Sequence, residues 1–563
     1  MSLETSHRRG PTQVELINKT ISEQLHEMCK NKGITEAFSF TSEHYQLTFA
    51  QLTKEVDKLA SGLLAIGLSP GDHVMLWGVN HANLVLSIYA CARINLVFSC
   101  VNPSLDADQI QKHLAQGDFK AIICFPAGKP GSAYHKLEEA CPELPKCKAG
   151  KLRSSKLPKL THVVLAEEEH KLSGTFTFSE IYGAGKPELL AKFDNSEKTT
   201  DSHSLAAIQF TAGTTGEPKP VMLSHFQLLN ACRVAGLQIS LDKPGEILCC
   251  PMPVFRGPVL CLVALATAVF GVKVVYPSPA PKPKAIFQSL EDEKCTSILS
   301  NPIAFHLMSR MPAAKTCDFG TLKTACLIGE QLPADLLDAL ETIAQVENVT
   351  VGIFVTEVGC SPIMSSAGAK VADLLSTHGR VLDHYEVKIA SPSGETLETD
   401  KIGEIFVKPI AGSKFLGFYK EPELSKGYFL DGWIRTGDVG TMSADGSVTL
   451  LGQCQDLIWS DADCVVYPWK TEKALSSHSN VIGAQLVGVP NKRETCACIV
   501  PKDKSDALNE KELRDELLKT CKDAKVDVPD YVVFLKDFPR TPTRRIQKFK
   551  LVEMVLGLIK EQC

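Results

Sequence analysis

A chain of 563 residues is too long for one hydrophobic core, and about two to four are expected. Its 44% hydrophobic and 22% charged residues are those of a globular protein, and no run of ~18 uncharged apolar residues signals a transmembrane segment. A formal net charge of -5, with no basic stripe interleaved with aromatics, excludes a generic nucleic-acid partner.

Taken in order, residues 12–31 predict an amphipathic helix, 45–49 a short strand, and 51–66 a helix whose inner face is Leu52, Val56, Leu59, Leu63 and Leu64. A Ser-Pro-Gly-Asp turn leads to a strand at 74–77, a helix at 83–92 and strands at 96–99, 122–125 and 161–166. Residues 142–158, rich in Lys, Pro and Ser, read as a loop or insertion. A second α/β region is expected from about 202 to 379, with strands near 246–249, 272–276, 296–300, 324–328 and 350–354. The very apolar 258–275 reads as core. Short β patterns at 385–390 and 403–408 suggest a small antiparallel or barrel-like unit. Strands at 481–489, 496–500 and 531–535 and a helix at 509–521 complete the chain.

Twenty cysteines without paired zinc spacing read as reduced, mostly buried thiols of a reducing compartment. Residues 1–20 have charges of both signs and no apolar centre, unlike a secretory signal or an acid-poor transit peptide. A cytoplasmic location is therefore expected.

The chemistry centres on residues 209–221. An apolar strand at 205–210 runs into Thr211, Ala212, Gly213, Thr214, Thr215, Gly216, Glu217, Pro218 and Lys219. Glycines let backbone amides close on an anion, and Lys219 adds a point charge. The spacing is not that of a Walker A loop, and a plain surface turn is the competing reading. The stretch resembles the phosphate-loop signature of the adenylate-forming superfamily, which includes acyl-CoA synthetases, 4-coumarate ligases, peptide-synthetase adenylation domains and beetle luciferases. Ala212 and Pro220 stand where that signature has serine and glycine. The resemblance spans nearly the whole chain and is strongest to medium-chain acyl-CoA synthetases of the member 2-like branch.

The resemblance implies a large N-terminal domain (1–451) of two α/β subdomains and a small distorted β-barrel. A small mobile α+β C-terminal domain (452–563) follows. It implies ATP and Mg2+ as cofactors. Thr211, Gly213, Thr214, Thr215, Gly216 and Lys219 become nucleotide-binding positions, with Lys219 also catalytic. Thr356 becomes a phosphate contact with a catalytic role, and Glu357 the magnesium carboxylate. Asp438, in Gly432-Trp-Ile-Arg-Thr-Gly-Asp438, becomes the ribose contact. Standing alone, Glu357 reads as a loop acid and Asp438 as a turn cap.

Several positions depart from the family. Gln453 replaces a ribose- and phosphate-binding arginine, and Ile353-Phe354 replaces an aromatic-glycine pair. Phe255-Arg256 replaces an aromatic-histidine pair. Arg545 stands at the catalytic lysine, after Arg544 in place of glycine. Asp461 and Asp463 add acid to the loop that would line a CoA tunnel, which argues against thioester formation. The expectation is an ATP-dependent, acid-activating enzyme that forms an acyl-adenylate from a small carboxylic acid, with a following transfer to CoA left open. A luciferase-like oxygenase acting on a luciferin and a nucleotide-binding pseudoenzyme are the alternatives.

Overall fold

The structure is a computed structural model that describes residues 4–166, 171–196, 200–211, 217–328, 346–369, 371–374, 376–461, 464–490, 492–502, 509–540 and 546–562. A large N-terminal α/β region is followed by a smaller α+β one. The first sheet has seven strands, ordered Pro220–Ser224, Leu205–Phe210, Val97–Val101, His73–Trp77, Ala121–Cys124, His162–Leu165 and Phe176–Thr177. All neighbours are parallel except the Leu205–Phe210/Pro220–Ser224 hairpin. The second sheet has nine strands, from Arg380–Val381 through Ile363–Met364, Asn348–Ile353, Thr324–Leu327, Ser297–Ser300 and Ile247–Cys249 to Lys273–Tyr276, Glu36–Phe40 and Tyr45–Thr48.

The two sheets are not consecutive halves of the chain, as the division near residue 202 supposes. The early strand Glu36–Phe40 pairs in parallel with Lys273–Tyr276 of the second sheet. The later hairpin 205–224 completes the edge of the first sheet. A strand joins whichever edge its flanking helices deliver it to, and local patterning does not record that. The helices and strands between the sheets share one large apolar cluster. Leu260 to Ala266 lie in it at 0% exposure, so the apolar 258–275 stretch is core. Among the described residues no helix is long and apolar enough to cross a membrane. The described cysteines are free thiols, most of them buried.

The first predicted helix starts later than its periodicity suggests, at Ile21–Lys32. Thr20 caps it, with Glu23 reaching back to the Thr20 backbone, a reciprocal box readable in Thr-Ile-Ser-Glu. Phe49–Ala65 starts on the same device, Thr48 with Gln51.

The third sheet is antiparallel: His7–Arg9, Glu386–Ala390, Gly403–Lys408, Trp433–Met442 and Phe429–Leu430, with Val448–Gln453 also on Trp433–Met442. Among the described residues its edge strands His7–Arg9 and Phe429–Leu430 do not pair with each other. Its seam with the second sheet runs through Gly379, whose carbonyl accepts the Val448 N–H at 2.8 Å. The C-terminal part holds the sheet Val481–Gly488, Thr495–Pro501, Tyr531–Phe534 and the helices Pro468–Ser476, Glu510–Asp523 and Lys548–Gln562. Leu513 and Leu517 are buried, and Leu518 packs beside them, as the periodicity predicts.

Gly379 has a φ of +111°, and an added Cβ would meet the Met364 backbone at 2.0 Å. Gly379→Ala is expected to cost about 3 kcal/mol or more by opening this seam, read as a lowered denaturation midpoint.

Candidate active site

The strand Pro220–Ser224, which leaves the glycine-threonine turn, is held on both sides. On one side it pairs with Leu205–Phe210, and the pairing continues past the strand ends. Thr211 donates its backbone N–H to the Lys219 carbonyl at 3.1 Å. The Lys219 N–H donates to Thr211 Oγ1 at 3.0 Å. On the other side, Met222 N–H donates to the Gly417 carbonyl at 3.0 Å and Tyr419 N–H to the Pro220 carbonyl at 2.8 Å. This strand was missed in the sequence because Pro218 and Lys219 precede it and its first residue is Pro220. Gly213, Thr214, Thr215 and Gly216 lie outside the described residues, as does Arg545.

Lys219 meets two groups of opposite character. Its ammonium lies 4.8 Å from the centre of the Tyr428 ring. It also lies within electrostatic reach of Glu357. Tyr428 ends the helix Pro422–Tyr428 and packs edge-on against buried Phe418, centroids 5.1 Å apart. Phe418 in turn bridges to Val221, two residues beyond Lys219. The strand that carries the lysine and the ring that faces it are thus parts of one packed unit.

Glu357 sits in the turn Thr356–Val358 after the strand Asn348–Ile353 and is 7% exposed. Burial raises its carboxyl pKa, opposed by its own backbone amide and by Lys219. Gln227 Nε2 donates to the Glu357 carbonyl at 2.9 Å and fixes the turn. Thr356 lies near Gly257, where a Cβ would sit 3.7 Å from its hydroxyl and 3.6 Å from Gln209 Cγ. Gln209 Nε2 donates to the Phe255 carbonyl at 2.7 Å, tying the Phe255–Arg256 segment to the hairpin. The buried Gln209 Oε1 and Gln227 Oε1 have no hydrogen-bond partner among the described residues.

Asp438 belongs to a second cluster. Thr436, Gly437 and Asp438 together oppose Ile405 in the register between Gly403–Lys408 and Trp433–Met442. Such a bulge re-aims a side chain. Gly437 supplies the φ of +75° that it needs. Thr436 Oγ1 accepts the Asp438 N–H at 3.0 Å and donates to the Ile405 carbonyl at 2.7 Å. Gly437 N–H donates to buried Glu404 at 3.1 Å, and Arg435 donates to the same carboxylate at 2.6 Å. Asp438 pairs in register with Gln453, whose Nε2 donates to Asp438 Oδ1 at a long 3.4 Å. Phe429–Leu430, directly after Tyr428, pairs with Trp433–Ile434. The strand that carries Asp438 is thereby joined to the Lys219 unit.

Beyond Gln453 the chain is anchored from the C-terminal part. Trp469 covers Gly452 so closely that a Cβ there would meet its ring at 2.7 Å. Lys548 donates to Glu472 at 2.6 Å and lies 3.8 Å from Asp456. Its ammonium is committed to two carboxylates. Sequence reasoning passed over Tyr428, Gln227 and Glu404. The helix His225–Gln238 buries Gln227 and Asn230 among apolar residues, and its sequence, which also holds His225, Arg233 and Gln238, does not mark Gln227 apart.

Comparison with known proteins places these elements. The AMP-binding enzyme model matches residues 25–414, and the AMP-binding enzyme C-terminal domain model matches 470–545. The chain is 30% identical over 565 residues to the medium-chain acyl-CoA ligase ACSF2, mitochondrial, of Bos taurus, covering 98% of this chain and 90% of the relative. It is 29% identical over 553 residues to the putative acyl-CoA synthetase YngI of Bacillus subtilis, covering 97% and 98%. The anthranilate CoA ligase AuaEII in complex with anthranoyl-AMP has the same fold, at a TM-score of 0.80 and 19% identity, over 97% of this chain and 99% of that one. The expected cytoplasmic location is overturned, because the ACSF2 relatives from cattle to zebrafish are mitochondrial proteins. That expectation rested on reduced thiols, which do not separate one reducing compartment from another, and on the charge pattern of residues 1–20.

Two tests follow from the geometry. A raised carboxyl pKa means that the folded state favours protonated Glu357. That stability is full below the unfolded pKa and is lost as pH rises through the folded one. Glu357→Gln is therefore expected to raise the melting temperature of the nucleotide-free protein at neutral pH, with the gain shrinking as pH falls through the acid range. Tyr428→Leu is expected to weaken ATP binding about three- to tenfold, and Tyr428→Phe to retain it, by titration calorimetry.

Proposed function

The chain belongs to the AMP-binding enzymes of the adenylate-forming superfamily, and on that premise we propose that it activates a medium-chain fatty acid with ATP as the acyl-adenylate. The observation that carries this reading is Lys219, paired through Thr211 onto the hairpin with its ammonium 4.8 Å from the centre of the Tyr428 ring, in reach of the buried Glu357. In this reading 1–451 is the larger domain, and the third sheet is its distorted barrel. The domain of 452–563 swings about the segment that Trp469 and Lys548 anchor.

Each described residue has a task. Lys219 offsets phosphate charge, and the ring of Tyr428 restrains its ammonium without neutralising it. Thr211 holds the exit of the phosphate turn in register with Lys219. Thr356 presents a hydroxyl to the phosphates. The two carboxylate oxygens of Asp438 accept hydrogen bonds from a ribose diol, aimed by the Thr436–Asp438 bulge. Gln453 donates one neutral hydrogen bond to Asp438 where the family has a full charge. Carboxylate oxygen of the acid attacks the α-phosphate, and pyrophosphate leaves.

The residues suit Mg2+. Glu357 is a buried carboxylate, Gln227, which binds its backbone, and Gln209 have buried amide oxygens without partners among the described residues, and Mg2+ needs only one or two protein carboxylates beside substrate phosphates. Glu357 would hold it, and the ion would offset charge on the phosphates during transfer. CoA is proposed as the second acceptor, on the relatives' activity. No feature of the described residues favours a luciferin oxygenase over acid activation.

Arg545 retains the charge of the lysine that bridges carboxylate and phosphate in the family, but its planar fork is larger and less adaptable. With Mg2+, ATP and medium-chain acids, Arg545→Lys is expected to speed pyrophosphate release by about 10- to 100-fold. An unchanged rate in a variant that still binds ATP would remove Arg545 from the reaction.

A further inference from the structure

The loop between the helix Ser132–Ala140 and the strand His162–Leu165 has no part in the site described above. It carries Lys146, Lys148, Lys151, Arg153, Lys156 and Lys159, all exposed, with Glu143 as its one acid. Among the described residues none of these six cations makes an ion pair, whereas Lys112, Lys120, Lys273, Lys408, Lys420 and Lys492 do. Glu143, which Lys156 helps to hold ionised, offsets one of these charges, and the rest accumulate in a chain whose formal net charge is -5.

The loop is a rigid platform. Leu144, Leu152, Leu157 and Leu160, between the cations, are at most 2% exposed and belong to the core beneath the first sheet. Leu152 N–H donates to the Thr161 carbonyl at 3.2 Å, and Ser155 N–H to Glu143 at 3.4 Å. Strand His162–Leu165 lies near one edge of the seven-stranded sheet and the phosphate hairpin lies at the other.

We propose that this loop is a docking surface for an anionic membrane, binding lipid headgroups by accumulated charge, without inserting. Five of the six cations are lysines, point charges suited to a diffuse anionic plane and less suited to bidentate recognition of a single phosphate. The loop has no aromatic residue, so it offers no platform for stacking bases. A fixed array on a folded edge also loses little conformational freedom on binding.

The test is co-sedimentation of the full chain with vesicles of phosphatidylcholine alone, or with ~30% phosphatidylglycerol, at low and physiological salt. Binding is expected only to the anionic vesicles and falls as salt rises. The variant Lys148→Gln/Lys151→Gln/Lys156→Gln/Lys159→Gln is expected to lose at least ~10-fold in partitioning, since each lysine near such a surface contributes on the order of fivefold. A control with Lys243, Lys284, Lys315 and Lys519, exposed elsewhere, changed to Gln keeps wild-type binding. Melting temperature and ATP titration confirm that both variants are folded. No binding to anionic vesicles, binding to heparin or RNA alone, or equal loss in the control variant would each overturn the proposal. None of these readouts depends on acid activation.

Discussion

A carboxylate in the interior must be compensated, and the candidate site is arranged around that cost. Glu357 lies at the end of a parallel strand, 7% exposed, with its turn pinned by Gln227. Its ionised form is disfavoured by burial and only partly rescued by Lys219. A fold that keeps such a group gives up stability in the empty state and recovers it when a cation binds. The hairpin supplying Lys219 is fixed by pairing on one side and by the segment 417–419 on the other, so the compensating charge stands on rigid backbone.

The same segment connects the chemistry. Phe418 packs against Tyr428, Tyr428 faces Lys219, and the next two residues pair with the strand that bears Asp438. Loss of the family's arginine at Gln453 leaves Asp438 with a long neutral hydrogen bond, while Arg435 is already engaged with Glu404. Gln453 brings no charge to Asp438, whereas Lys219 brings a full positive charge to the hairpin.

Much of this was legible in the sequence. Apolar runs placed most of the parallel strands to within a residue or two, though not Glu36–Phe40 or Phe176–Thr177, and Asp438, Glu357 and Lys219 were singled out from motif text. Pairing partners were not legible. The crossing of strand 36–40 into the second sheet and hairpin 205–224 into the first depends on long-range delivery, which no local window contains. The strand Pro220–Ser224 was hidden because its first residue is a proline at a sheet edge, where a missing N–H is tolerated. Tyr428 was hidden for another reason. Its role comes from a ring face opposite a lysine more than 200 residues earlier, and an isolated tyrosine before a Gly-Trp motif carries no such mark. The location reading failed because a thiol inventory reports redox state, not address, and because the charge pattern of residues 1–20 did not identify the address either.

The central claim is that the site still makes an acyl-adenylate. The most direct measurement is mass-spectrometric detection of that adenylate on the purified wild-type protein after incubation with Mg2+, ATP and medium-chain fatty acids, with CoA withheld. The account predicts an acyl-AMP at up to one equivalent per chain, lost in Asp438→Ala. ATP binding without any adenylate, across aliphatic and aryl acids alike, would contradict it and make the chain a nucleotide-binding protein on a catalytic scaffold.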